Sequence, residues 1–292
     1  MDFTVFAQQI ANGLVNGMAY VLIATGLTLV FGVLRIVNFA HGEFYMLGAY
    51  ITYFVGTLFG LDYIAAAAIS AVVVAGLGVA ANKLIFWPLR RDHEFTILLS
   101  SLGLALLIAN GGELLFGADP KYVESPFADE VLEIGTVTLT QQRVLVFAAA
   151  VVALVAVYLF IRYSRFGKMM RATAQNPDGA ALTGINIGLV HTYTFALACG
   201  LAALSGALVG PTVMIFPTIG NWAVLKGFIV VIMGGLGSVT GALFAGLLLG
   251  VIESLGGGYI SLGFMEAIGY AMIIAVLLWR PNGLFSTARG LR

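Results

Sequence analysis

Long apolar runs dominate this sequence, and their length decides the solvent it folds in. A helix rises 1.5 Å per residue, so about 20 apolar residues are needed to cross a hydrocarbon core roughly 30 Å thick. Runs of that order occupy residues 9–34, 40–60, 62–86, 95–116, 143–162, 188–210, 239–255 and 262–279. A shorter piece, 224–234, ends in Gly234-Gly235-Leu236-Gly237-Ser238 and reads as a short crossing or a half-helix. Backbone in lipid must satisfy its own hydrogen bonds, and these runs are too long for barrel strands, so helices are expected throughout. The expectation is an all-α, polytopic transmembrane helix bundle of about eight or nine spans, one domain over residues 1–292.

Composition agrees: 60% of residues are apolar and 10% charged, where a soluble domain carries about 25% charged residues. Lys plus Arg equals Asp plus Glu at 14 each, which leaves no basic field for nucleic acid. The single cysteine, Cys199, lies in an apolar run and reads as a buried, inert thiol. The start, MDFTVFAQQ, lacks the positive region of a cleaved signal peptide. Glycines lie within the apolar runs, with G-x-x-x-G spacings at Gly13/Gly17, Gly56/Gly60, Gly206/Gly210, Gly237/Gly241 and Gly246/Gly250, as expected of closely packed membrane helices.

Charge sets the orientation. Lys83, Arg90 and Arg91 mark one connection, Arg162, Arg165, Lys168 and Arg171 a second, and Arg280, Arg289 and Arg292 the C-terminal end. The 117–142 connection carries Asp119, Glu124, Asp129, Glu130 and Glu133 against Lys121 alone. The positive-inside rule places the first three in the cytoplasm and the fourth outside. The N-terminus is then outside and the C-terminus inside, with nine crossings if 224–234 traverses the membrane. The largest extramembrane pieces are the outer loop 117–142 and the inner loop 163–187, and Thr136–Thr140 reads equally as a short strand or a bare loop.

No phosphate-binding loop occurs, since Gly167-Lys168 is followed by Met169, and there is no H-E-x-x-H or Cys/His cluster. His41, His93 and His191 are assigned to different loops. If transport needs ATP, another chain hydrolyses it, and this chain binds no cofactor itself.

Three segments carry more. In Asn38–Tyr50, NFAHGEFYMLGAY, three polar groups crowd the start of an apolar span. Asn38, His41 and Glu43 read either as a polar helix start just outside the membrane or as part of a transport path, because ionisable groups within a membrane tend to face a cavity. In Arg162–Asn186, RYSRFGKMMRATAQNPDGAALTGIN, Asn176-Pro177-Asp178 starts a helix that ends near Gly184. That length exceeds what a connector needs and suggests a docking element. Val230–Glu253 joins two apolar pieces through small residues, as a tight inner turn or a broken helix. Other polar groups inside the runs are Asn12, Asn16, Asn110, Glu113, Lys226, Glu253 and Glu266. In this topology Lys226 and Glu253 both approach the outer face, where they are expected to form an ion pair.

NFAHGEFYMLGAY, RATAQNPDGAALTGIN and MGGLGSVTGALFAGLLLGVIE resemble signature stretches of the inner-membrane permeases of ABC importers for branched-chain amino acids. The resemblance runs from about residue 9 to WRPNGLF at 279–285. It implies a multi-pass bacterial inner-membrane protein that works with a second homologous permease, two cytoplasmic ATPase subunits that bind the ATP, and a periplasmic solute-binding protein. The inner loop then resembles the ATPase-coupling loop of importers at Arg171, Ala172, Ala174, Gly184 and Ile185, with Asn176 and Asp178 at its helix start. It lacks the leading Glu of that pattern, and Thr173 stands among its alanines. Asn12, Asn16, Asn38, His41 and Glu43 are the candidates for the substrate path. Related permeases import urea or short amides, and the residues leave that cargo open. The rivals are an ion-coupled secondary transporter, with Glu43 or Glu113 as its titrating group, and a membrane-embedded enzyme, which no motif supports.

Overall fold

A computed structural model describes residues 3–285. Arg289 and Arg292, counted above among the C-terminal positive charges, lie outside the described residues. The chain opens with α1 (Phe3–Leu29), which continues as a π-helical turn, Val30–Leu34. Next come α2 (His41–Phe59), α3 (Tyr63–Ala81, extended by a π turn over Asn82–Phe86), the short α4 (Trp87–Leu89) and α5 (Glu94–Phe116). A hairpin of β1 (Val131–Ile134) and β2 (Val137–Thr140) leads into α6 (Gln141–Tyr163), α7 (Arg165–Gln175) and α8 (Pro177–Leu182). Then follow α9 (Ile187–Val209), α10 (Ile219–Gly234), α11 (Val239–Tyr259) and α12 (Met265–Trp279).

Among the described residues, six helical stretches are long and apolar enough to cross a membrane: Phe3–Leu34, Tyr63–Leu89, Glu94–Phe116, Gln141–Tyr163, Ile187–Thr212 and Val239–Tyr259. The shorter apolar helices are Ile219–Gly234 and Met265–Trp279. The molecule is therefore a polytopic helix bundle. The first span is longer than the apolar run suggested, beginning at Phe3 rather than residue 9. Of the segment 136–140, left open as strand or loop, residues 137–140 form a strand, paired in register Val131↔Thr140 to Ile134↔Val137. Its two-residue turn has Gly135 at φ +65°, a conformation glycine reaches without steric penalty.

The centre of the bundle is α1, flanked by α11, α9, α10 and α6. Glycine makes the α1–α11 seam. A methyl group built at Gly17 would lie 2.8 Å from the Gly246 carbonyl oxygen, and one at Gly13 would lie 2.6 Å from Val251 Cα. In lipid no hydrophobic driving force joins apolar helices, so this close backbone approach supplies the packing attraction. A second layer sets α9 against α3 and α2. Buried side-chain hydrogen bonds link its members, Thr52 to Ser70 at 3.0 Å and Asn82 to Thr192 at 3.1 Å, and Gln142 of α6 joins the layer by donating to the Tyr63 hydroxyl at 2.8 Å. Each contributes about 0.6 kcal/mol in such an environment. The faces of α5, α6 and α12 turned away from this core are mostly apolar and exposed, as lipid contact requires.

Candidate functional site

α2 does not begin where α1 ends. After the π turn, Arg35 adopts a left-handed conformation at φ 56° and returns its N–H to the Phe31 carbonyl. Residues 35–40 then double back, and the His41 ring reaches the Ile23 carbonyl at 3.2 Å. A carbonyl only accepts, so His41 Nε2 carries the proton. Ile23 lies eleven residues before Leu34, or about 16 Å of helix, which puts the start of α2 well inside the bundle. The loop is held by Asn38 Oδ1, which accepts from Ala40 N–H at 3.1 Å, and by Ser101 of α5, which accepts from Phe39 N–H at 3.2 Å.

α10 begins at the same place. Gly42 packs directly on the Gly220 carbonyl, and a methyl group built at Gly220 would lie 2.7 Å from Glu43 Oε2. The amino-terminal turns of two helices thus cross where neither residue has a side chain, and the Glu43 carboxylate lies against the first turn of α10. Asn38, His41 and Glu43 are all fully buried. Of the helix-start reading, the placement of Glu43 in the first turn holds and the side-chain cap does not. No side chain caps α2, and His41 belongs to its first turn rather than to a loop. His191 is likewise helical, within α9. Asn38 Nδ2, His41 Nδ1 and Glu43 Oε2 have no hydrogen-bond partner.

Lys226 and Glu253 are 2.5 Å apart and almost fully buried. The Tyr20 hydroxyl donates to the other Glu253 oxygen at 3.0 Å. The ammonium lies 5.7 Å from the centre of the Tyr20 ring and 6.0 Å from that of Trp222. Three helices, α1, α10 and α11, meet in this knot. Tyr20 was not singled out from sequence, since a tyrosine within an apolar run carries no signal of its own.

Asn12 and Asn16 lie elsewhere. Asn12 Oδ1 accepts from Arg143 at 2.6 Å and from Gln8 at 3.3 Å. Gln8 also exchanges two 2.8 Å hydrogen bonds with the Thr138 backbone, so its amide stands in for a neighbouring strand on the free edge of β2. Gln8 therefore straps the hairpin to α1, while Asn12 ties the start of α6 to it. Asn12 is eleven residues, or about 16 Å of helix, from Ile23 and the α2 start, so the five path candidates form no single cluster. Asn16 is half-buried on the same half of α1.

At the opposite end of α1, α7 and α8 follow one another directly and pack together. Gly167 lets α7 press onto the Ile161 backbone, while Met170 and Thr173 turn inward against the bundle and α7 touches the π turn of α1. Arg171 donates to the Ile161 carbonyl, and Ala172 and Ala174 are half-buried. Asn176 Oδ1 caps α8 by accepting from Gly179 N–H at 2.9 Å. Gly184 ends the element at φ +84°, followed by half-buried Ile185. Asn176, Asp178 and Gly184 are exposed, and Leu182 at the tip is 90% exposed.

The sequence model of a family described as branched-chain amino acid transport system / permease component matches residues 9–278. The chain is 34% identical to the high-affinity branched-chain amino acid transport system permease protein LivH of Salmonella typhimurium, over 97% of this chain and 96% of that one. It is 33% identical to the corresponding protein BraD of Pseudomonas aeruginosa, over 96% and 95% of the two chains. Among solved structures it is similar to PsaBC from Streptococcus pneumoniae in complex with Fab, with a TM-score of 0.51, 12% identity, and coverage of 96% and 94%, a likeness of fold.

Proposed function

The chain belongs to the family of branched-chain amino acid transport permease components, and from that premise we propose that it carries leucine, isoleucine or valine across the bacterial inner membrane as the permease subunit of an ATP-driven importer. It is a transport subunit and not an enzyme. The observation that carries the substrate class is the match to two branched-chain amino acid permeases over nearly the whole of all three chains.

The remaining parts follow the same reading. The chain lies with its N-terminus outside and its C-terminus inside, crosses nine times with α10 as the short crossing, and pairs with a homologous permease. Positive-inside charge supports this arrangement, because the α7–α8 end holds Arg162, Arg165, Lys168 and Arg171 while the hairpin end is acidic. A periplasmic binding protein delivers the amino acid at the hairpin end. Two ATPase subunits seat the α7–α8 tip, with Asn176 and Asp178 at its surface and Arg171, Ala172, Ala174, Gly184 and Ile185 setting its geometry. Because α7 leans on the π turn of α1 and on α9, a push at the tip moves the helices that enclose Asn38, His41 and Glu43. A π turn is a natural place for such movement, since its hydrogen bonding already departs from the regular helix.

The deciding measurement is uptake of labelled leucine and urea into proteoliposomes holding this chain, its partner permease and the ATPases, with and without binding protein and internal ATP. Leucine uptake that needs both supports the importer. Urea uptake keeps the machine and changes its cargo. Uptake without ATP that collapses with an ion gradient refutes ATP coupling.

A further inference from the structure

Among the described residues, three charged side chains are buried: Glu43, Lys226 and Glu253. Lys226 and Glu253 neutralise each other, with Tyr20 completing their bonding. Glu43 has no such cation. It is 2% exposed, and its Oε2 has no hydrogen-bond partner. A carboxylate removed from water with no cation beside it is costly, and in a membrane such a group persists where function uses it.

Its surroundings narrow the use. Oε2 faces the first turn of α10, a helix of 16 residues, at the place where Gly220 leaves room for it. Thr218 precedes that turn and makes no side-chain cap. An unmatched acceptor thus sits beside the positive end of a helix dipole; Ile219 and Asn221 N–H there already bond the Phe216 and Thr218 carbonyls, so it is the dipole rather than a row of open donors that favours an anion. The two features together complement a group with a cation and an anion one carbon apart. We propose that Glu43 accepts the α-ammonium of the transported amino acid, while the amino-terminal turn of α10 receives its α-carboxylate. This rests on the amino-acid reading of the function, since urea carries neither charge. In the present conformation Gly42 and Gly220 touch and the site is shut, so the substrate enters when α2 and α10 separate. A coupling metal ion would call for several oxygen ligands. Among the described residues no three His, Cys, Asp or Glu side chains are grouped to hold one.

The test compares leucine uptake by the reconstituted importer carrying wild-type chain, Glu43→Gln, Glu43→Asp or Gly220→Ala, each checked for assembly by size-exclusion chromatography. Glu43→Gln keeps the shape and removes the charge, so KM for uptake rises about 10- to 100-fold, the loss of one charge-assisted hydrogen bond. Glu43→Asp keeps the charge and stays within a few-fold of wild type. A packing role gives the reverse order, with Gln tolerated and Asp impaired, and overturns the proposal. Should Glu43→Gln not assemble, Gly220→Ala decides: it keeps the carboxylate and crowds it with one methyl group, and unchanged KM refutes the site. Wild-type uptake that requires sodium, with Glu43→Gln independent of sodium, reassigns the carboxylate to an ion and also overturns the proposal. Wild-type uptake of urea without leucine overturns the substrate reading before any variant is compared.

Discussion

Replacing Lys226 with Met tests whether the buried knot between α1, α10 and α11 holds the bundle together. The methionine fills much of the space of the lysine stem and removes only its charged end. Glu253 then keeps the 3.0 Å hydrogen bond from Tyr20 but loses the ammonium at 2.5 Å. Gly269 of α12 packs close behind the carboxylate, where even a methyl group would lie 2.5 Å from Oε1, so rearrangement offers little relief. Removing one partner of a buried pair destabilises by about 3–5 kcal/mol, because the other charge stays desolvated. At about 2–4 °C per kcal/mol, the thermal transition of the purified protein falls by roughly 10 °C. The double variant Lys226→Met/Glu253→Gln leaves an oxygen for Tyr20 and no charge. It is expected within about 1 kcal/mol of wild type, since apolar replacement of a buried ion pair is often neutral. Exchanging the two charges recovers only part, as the Tyr20 hydroxyl would then face an ammonium. A single variant that unfolds within 2–3 °C of wild type, or a double variant no better than the single, refutes the reasoning.

Gln8→Leu removes both hydrogen bonds to the Thr138 backbone, each contributing about 1 kcal/mol, and amide hydrogen exchange over 131–140 should accelerate about 30-fold while α1 stays protected. Gly184→Val forces a β-branched residue into φ +84°, so ATP hydrolysis by the assembled importer should continue with leucine uptake reduced at least tenfold; unchanged coupling counts against the role given to the α7–α8 tip. Gly250→Leu drives a side chain into the α1 backbone at Gly13 and Gly17, and the purified chain should lose its monodisperse peak, whereas Gly76→Leu, with nothing within 4 Å of its added carbon, should keep it.

Much of this molecule was legible in the sequence because a bilayer imposes a length and a composition on whatever spans it. The apolar runs located the helices, and the Asn176-Pro177-Asp178 turn marked the start of α8, since capping is settled by a few adjacent residues. The spacing of Gly13 and Gly17, and of Gly246 and Gly250, named the residues of the α1–α11 seam but not which helices would meet there. Lys226 and Glu253 could be matched as the opposite charges nearest one end of adjacent spans. Four things were beyond reach: the return of residues 35–40, the crossing of the α2 and α10 starts at Gly42 and Gly220, the diversion of Asn12 to Arg143, and the pairing of Gln8 with a strand edge. Each depends on contacts between segments far apart in the chain, and periodicity carries no information about distant partners. Burial and helix content follow from the solvent and from local chemistry. Which polar groups find a partner, and which, like Glu43, are left without one, is decided only when the helices pack.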